Sequence, residues 1–203
     1  MPSRVLLWPR MALTIWPKRL LKRYHIEERG HASAILAADY PSEFRDIAEA
    51  LEAFRVPQSE VLKGGGGKTA IAAGLDRFLQ GRGWVERSFD IRIVKEIPTP
   101  THKIDNFKNE IGLEMEWNNK TEFYDRDLNN FRLLKELRVL AVGVIVTRMS
   151  ELQPCFDELG VGKKYGASTT RWRKLIPKVD GGGAGGCPLL LVGITPRCFD
   201  RGS

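Results

Sequence analysis

The sequence is poor in cysteine, with only Cys155, Cys187 and Cys198 among its 203 residues. An odd number without a CxxC pair argues against a disulfide framework and a zinc site, and for a reducing, cytoplasmic compartment. Histidine is as scarce, and His25, His31 and His102 are too scattered to form a metal cluster by spacing. No apolar run approaches the roughly 20 residues of a membrane-spanning helix, so no membrane partner is expected. The start of the chain also lacks the apolar core and small-residue cleavage site of a signal peptide. Its apolar pieces, such as Val5-Leu6-Leu7-Trp8, are broken by Pro9, Arg10, Pro17 and Lys18. Residues 1–23 therefore read as a basic N-terminal extension. It is either an arm on DNA or a poorly ordered segment ahead of an internal start at Met11. Residues 24–203 read as a single domain.

What is abundant is positive charge. Lys and Arg number 32 against 25 Asp and Glu, a net charge of +7. Such an excess points to a polyanionic partner, nucleic acid above all. Hydrophobic content of 42 % and charged content of 28 % are ordinary for a globular chain.

Regular structure is expected from Tyr24 onward. His31–Ala38 reads as an extended segment running into Pro41. A helix capped by Ser42 follows, with Phe44, Ile47, Ala48, Leu51 and Phe54 buried and Pro57 at its end. A second helix starts at Gly67 or Thr69, turns Ile71, Leu75, Phe78 and Leu79 inward, and stops at Gly81-Arg82-Gly83. Trp84–Val94 reads as a strand with Val85, Phe89, Ile91 and Ile93 apolar. Thr121–Arg138 should be a helix lined by Tyr124, Leu128, Phe131 and Leu134. Leu140–Val146 and Pro188–Ile194 are continuous apolar runs, as in strands covered on both faces, and Ser150–Leu159 reads as a helix between them. Strand, helix and strand in that order form a crossover unit, so the expected fold is α/β, a central mixed sheet flanked by α-helices.

Lys63-Gly64-Gly65-Gly66-Gly67-Lys68-Thr69 resembles a nucleotide-binding loop but lacks its first glycine, since position 62 is Leu. No nucleotide cofactor is expected. The segment reads either as a flexible loop or as a clamp in which glycine amides approach DNA phosphates with Lys63 and Lys68 alongside. Lys163-Lys164-Tyr165 and Arg171-Trp172-Arg173-Lys174 interleave cations with aromatics. That suits phosphate contact with some base stacking, or else a solvated helix face. Gly181–Gly186 reads as a flexible loop.

The stretch richest in chemistry is Asp105 to Trp117. From Ile111 it alternates strictly, with Ile111, Leu113, Met115 and Trp117 on one side and Gly112, Glu114 and Glu116 on the other. Two carboxylates two residues apart on a strand share a face about 7 Å apart, where they repel unless a cation sits between them. Hard divalent cations suit such oxygens. Asp105, just ahead of the strand, can supply a third. The alternative is a solvated outer face on an edge strand.

The order of these parts resembles the type II restriction endonucleases of the BglII/BstYI/BamHI-like group, over roughly His31 to Pro196. The resemblance implies that Asp105, nine residues ahead of Glu114, holds one or two Mg²⁺ ions together with Glu114. It also implies that Glu116 orients or deprotonates the attacking water, where the nearest relatives carry Gln and BamHI carries Glu. A fourth active-site acid would be Glu86 or Asp90. The implied activity is hydrolysis of double-stranded DNA at a short palindrome built on GATC, by a homodimer, leaving a 5′-phosphate and a 3′-hydroxyl. The rival from another class is a non-catalytic, sequence-specific DNA-binding protein, which has no use for converging carboxylates.

Overall fold

The computed structural model describes residues 15–63, 69–89 and 102–202. Helix α1 (Lys18–Arg23) leads directly into strand β1 (Tyr24–Arg29). Trp16 and Leu20 are buried in the same core as the strands, and Trp16 Nε1 donates to Ser33 Oγ at 2.9 Å. The packed domain therefore begins before residue 24, and the expected extension loses residues from Trp16 onward.

Gly30 and His31, both in the left-handed region, reverse the chain into α2 (Ala32–Asp39), followed by α3 (Pro41–Ala53). The expected extended run at His31–Ala38 is thus a helix. Four alanines within Ala32–Asp39 favour that state, and Ala32 and Leu36 bury one side of it. In α3, Pro41 takes the first helical position and Tyr40 the cap. Ser42, expected as the cap, sits inside the helix with its hydroxyl on Glu43 Oε2 at 2.8 Å. The helix ends at Ala53 rather than at Pro57, which lies in the short β2 (Val56–Pro57) ahead of α4 (Gln58–Leu62).

Helix α5 (Ala70–Gln80) is capped by Thr69, whose hydroxyl accepts from the Ala72 amide at 3.3 Å. Strand β3 (Val85–Phe89) follows, with Val85 exposed rather than inward. Positions 90–101, including Ile91, Ile93 and Asp90, lie outside the described residues. Strands β4 (His102–Lys108) and β5 (Ile111–Glu116) form a hairpin. They lead to α6 (Phe123–Glu136) and β6 (Val142–Arg148). A 3₁₀ turn at Ser150–Leu152 opens α7 (Gln153–Glu158), in place of the one continuous helix expected there. A second 3₁₀ turn (Gly162–Tyr165), α8 (Trp172–Asp180), β7 (Leu189–Ile194) and β8 (Phe199–Asp200) complete the described chain.

Six strands form a mixed sheet in the order β1-β7-β6-β5-β4-β3. Strands β5, β6 and β7 run parallel at its centre, while β1, β4 and β3 are antiparallel to their neighbours. One face of the sheet, carrying Leu113, Met115, Val144, Val146 and Val192, packs on the helices of the N-terminal half and on Phe156 of α7. The other face, carrying Ile104, Ile145 and Leu191, packs on α6 and α8. On α6 the buried side is Tyr124, Leu128, Phe131 and Leu134, as its spacing predicts.

Helix α6 sits close because glycine lies beneath it. A Cβ on Gly143 would stand 2.5 Å from Phe131 Cδ2. Gly143→Ala is therefore expected to cost ~1–3 kcal/mol by overpacking. Pairing it with Phe131→Leu should recover part of that cost in a denaturant titration, whereas an unchanged midpoint for Gly143→Ala would contradict this packing.

Candidate active site

Glu114 and Glu116 project from β5 on the α6 face. Their strand lies between β4 and β6 rather than at an edge, and the two side chains are only 1 % and 2 % exposed. The solvated-face alternative for these acids is thereby overturned. Both faces of β5 are covered, and the acids are covered by α6.

Asp105 reaches the site through an irregularity in β4. Val85 of β3 faces Phe107, but Arg87 faces Ile104, so β4 uses three residues where β3 uses two. Such a bulge re-aims side chains next to it. Ile104 and Phe107 both remain on the α6 side, while Asn106 turns to the other face and donates to Asp76 Oδ1 of α5 at 2.6 Å. At the bulge the Asp105 amide points to Glu114 Oε1 at 3.4 Å, and the Asp105 side chain is half-buried.

A residue from outside the acidic strand completes the group. Asp127, on the first turns of α6, is fully buried. Its Oδ1 accepts from Arg126 Nε at 2.9 Å and Nη2 at 2.7 Å. Glu116 Oε2 accepts from Asn119 Nδ2 at 2.9 Å. The backbone of Glu116 is tied down as well. Thr147 Oγ1 donates to its carbonyl at 2.8 Å and in turn receives the Tyr124 hydroxyl at 2.6 Å.

The electrostatics follow from this crowding. Burial, then Asp127, Asp105 and Glu116, hold the Glu114 carboxyl well above the usual carboxylate range. Burial, then the neighbouring Asp127 carboxyl, pushes Glu116 up to about 9. Burial raises Asp127 too, against the pull of Arg126. Arg126 is a cation at this cluster, pairing with Asp127 Oδ1 at 2.7 Å while its Nη2 approaches Glu116 Oε1 only to 3.9 Å. Among the described residues no three His, Cys, Asp or Glu side chains form a ready-made metal cage. The donor set nevertheless suits a hard divalent cation. It consists of carboxylate oxygens desolvated against one another.

The other expected residues fall into two places. Glu86 is exposed on β3 and pairs with Lys103 at 2.6 Å. Asp90 and Lys68 lie outside the described residues. Lys63 pairs with Glu60 at 2.5 Å. Lys163 and Lys164 are exposed. Their 3₁₀ turn lies against the end of α4, with Lys164 Nζ on Leu62 O at 3.5 Å and the Tyr165 hydroxyl on Val61 O at 3.4 Å. Two basic segments about a hundred residues apart thus meet.

Arg171 caps α8 and is half-buried, and Arg173 is exposed. Trp172 and Tyr165, expected as stacking aromatics, are core residues at 8 % and 4 % exposure. Trp172 belongs to the apolar stripe it forms with Leu175 and Val179. Behind this loop lies a fully buried Arg148, whose Nη2 donates to Tyr165 O and Thr169 Oγ1, both at 2.7 Å. Burial lowers its pKa to about 10.

A mixed sheet with two helical layers and an acidic cluster on its central hairpin defines a restriction-endonuclease core. Residues 24–194 match the family model described as "Restriction endonuclease BglII/BglIII". The chain belongs to that family and is a type II site-specific deoxyribonuclease. Among solved structures it is similar to one described as "Crystal structure of restriction endonuclease BGLII complexed with DNA 16-mer". The TM-score is 0.57 at 16 % identity, covering 88 % of this chain and 77 % of that one. A search of curated proteins finds no match. No helix among the described residues is long and apolar enough to cross a membrane.

Proposed function

We propose that this endonuclease hydrolyses duplex DNA with the help of Mg²⁺ at a short palindrome containing GATC, as a homodimer, leaving a 5′-phosphate and a 3′-hydroxyl. The observation that carries the reading is the burial of Glu114 and Glu116 against Asp127, with the Asp105 bulge at their side. A protein that only bound DNA would gain nothing from desolvated carboxylates facing a phosphate.

Asp105 and Glu114 would hold the cation. When bound, it supplies polarisation of the scissile phosphate and a lowered pKa for water. Glu116, fixed by Asn119 and by Thr147 on its backbone, orients the attacking water or takes its proton. A two-fold dimer presents one such site to each strand of a palindrome. The test is incubation of plasmid and genomic DNA with Mg²⁺ and with EDTA. Double-strand cutting with Mg²⁺ alone is expected. Sequence-specific retention without cutting would leave only a DNA-binding protein.

DNA is held in part by the basic segment at Lys163 and Lys164. Lys163→Ala/Lys164→Ala should weaken site and non-site duplexes alike. It should also lower the slope of log K against log salt by about 0.9 for each phosphate no longer neutralised. Arg171→Ala or Arg173→Ala should instead change which sites are bound, since a guanidinium pairs bidentately with guanine. Binding is measured in Ca²⁺, which prevents cutting. Unchanged affinity and slope in every variant would place this segment on an outer face.

A further inference from the structure

Arg126 and Asp127 are consecutive on α6, where neighbouring side chains point about 100° apart, yet both turn toward the acids. Three contacts fix the Arg126 guanidinium. Two of its nitrogens, Nε and Nη2, donate to the single oxygen Asp127 Oδ1. Its plane lies over the Phe123 ring, 4.4 Å from the centroid. Nη2 also stands 3.9 Å from Glu116 Oε1. The side chain is nevertheless 50 % exposed, and Nη1 makes no hydrogen bond among the described residues.

Arg126 gives Nε and Nη2 to the fully buried Asp127, and half of its side chain stays exposed at the edge of the acidic cluster. Asp127 has no exposed surface of its own. A planar fork held rigid at the lip of an acidic site fits a tetrahedral phosphate, to which a guanidinium gives two parallel donors.

We propose that Arg126 is a further catalytic residue, donating to a non-bridging oxygen of the phosphodiester being cut, and that Asp127 is the residue that positions it. The proposal rests on the cleavage reading above. Charge that develops on the phosphate during attack is then met by a donor whose place is set before substrate arrives. Asp127 contributes through the arginine and touches no substrate.

The experiment uses the full chain with Arg126→Gln, Arg126→Lys, Asp127→Asn and the Arg126→Gln/Asp127→Asn double variant. Single-turnover cleavage is measured in Mg²⁺, duplex binding in Ca²⁺, and thermal unfolding alongside. Arg126→Gln is expected to cut about 100-fold more slowly, in line with the loss of one preorganised donor, with duplex affinity within about threefold. Arg126→Lys should recover part of the rate as a point charge without the fork. Asp127→Asn should slow cutting, and the double variant should be no slower than Arg126→Gln alone, because the two act as one unit. Arg126→Gln takes the cation from buried Asp127. Where it unfolds, the double variant, which removes both charges of the pair, decides the matter: parental cutting by it would overturn the proposal. Parental cutting by Arg126→Gln would overturn the proposal, and additive losses in the double variant would remove Asp127 from it. Should Asp105→Asn abolish cutting while Arg126→Gln does not, only this inference fails. A parent enzyme that cuts no DNA would remove the cleavage reading itself.

Discussion

Asp105→Asn and Glu114→Gln are each expected to lower duplex cleavage by a factor of about 10³ or more, roughly 4 kcal/mol on the barrier. Each removes a charge that would hold the cation, while leaving a side chain of nearly the same shape. Glu114 is almost wholly buried and Asp105 sits at a bulge, so the isosteric amides disturb the packing little. DNA binding should survive or tighten, because less negative charge then faces the phosphate. Cleavage by either variant near the parental rate would remove Asp105 and Glu114 from the metal site.

The second large effect is on stability in metal-free buffer. Glu116 has a folded-state pKa pushed up to about 9, and Glu114 and Asp127 are raised as well. A carboxyl raised in this way favours the folded state while protonated. That contribution is complete below the ordinary carboxylate range and is lost as pH rises toward the folded value. Metal-free protein should therefore melt lower at pH 8.5 than at pH 5.5, by about 5 °C or more. A divalent cation should restore much of the difference by neutralising the same charges.

Glu116→Gln should flatten the dependence, and it fits the site. A Gln oxygen can accept from Asn119, and its amide can donate to Asp127, the acceptor on the other side. A loss of activity in this variant therefore reports proton transfer rather than misfit. We expect a loss of about tenfold or more. Activity within about threefold, ~0.7 kcal/mol, would show that an oxygen to position water suffices. A melting temperature independent of pH in the parent would contradict the buried-acid electrostatics.

Much of this site can be read from local pattern. The alternation from Ile111 to Trp117 separates the two faces of β5 correctly, because a period of two is fixed by strand geometry alone. The apolar runs in β6 and β7 identify central strands because both of their faces are covered, and the Thr69 cap marks the start of α5. What local pattern hides depends on tertiary packing. The bulge at Asp105 is a matter of pairing register between β3 and β4, which composition does not encode. Helix α2 reads as extended in the sequence because Gly30 and His31 hide the reversal that sets it. Asp127 does carry a signal. It lies three residues after Tyr124 and four before Phe131, inside the apolar stripe of α6, where an acid has no place without a charged partner. Trp172 and Tyr165 show the converse. Aromatics among cations look like stacking platforms, yet their helical and core positions claim them. Lys164 reaches the Leu62 carbonyl only in three dimensions.

The most direct test of the account is to digest genomic DNA of known sequence with the enzyme in Mg²⁺ and to sequence the fragment ends. The prediction is that all ends fall at one palindromic motif containing GATC, carry 5′-phosphates, and arise from staggered cuts related by two-fold symmetry. Ends scattered without a common motif, or DNA left intact in Mg²⁺, would contradict it.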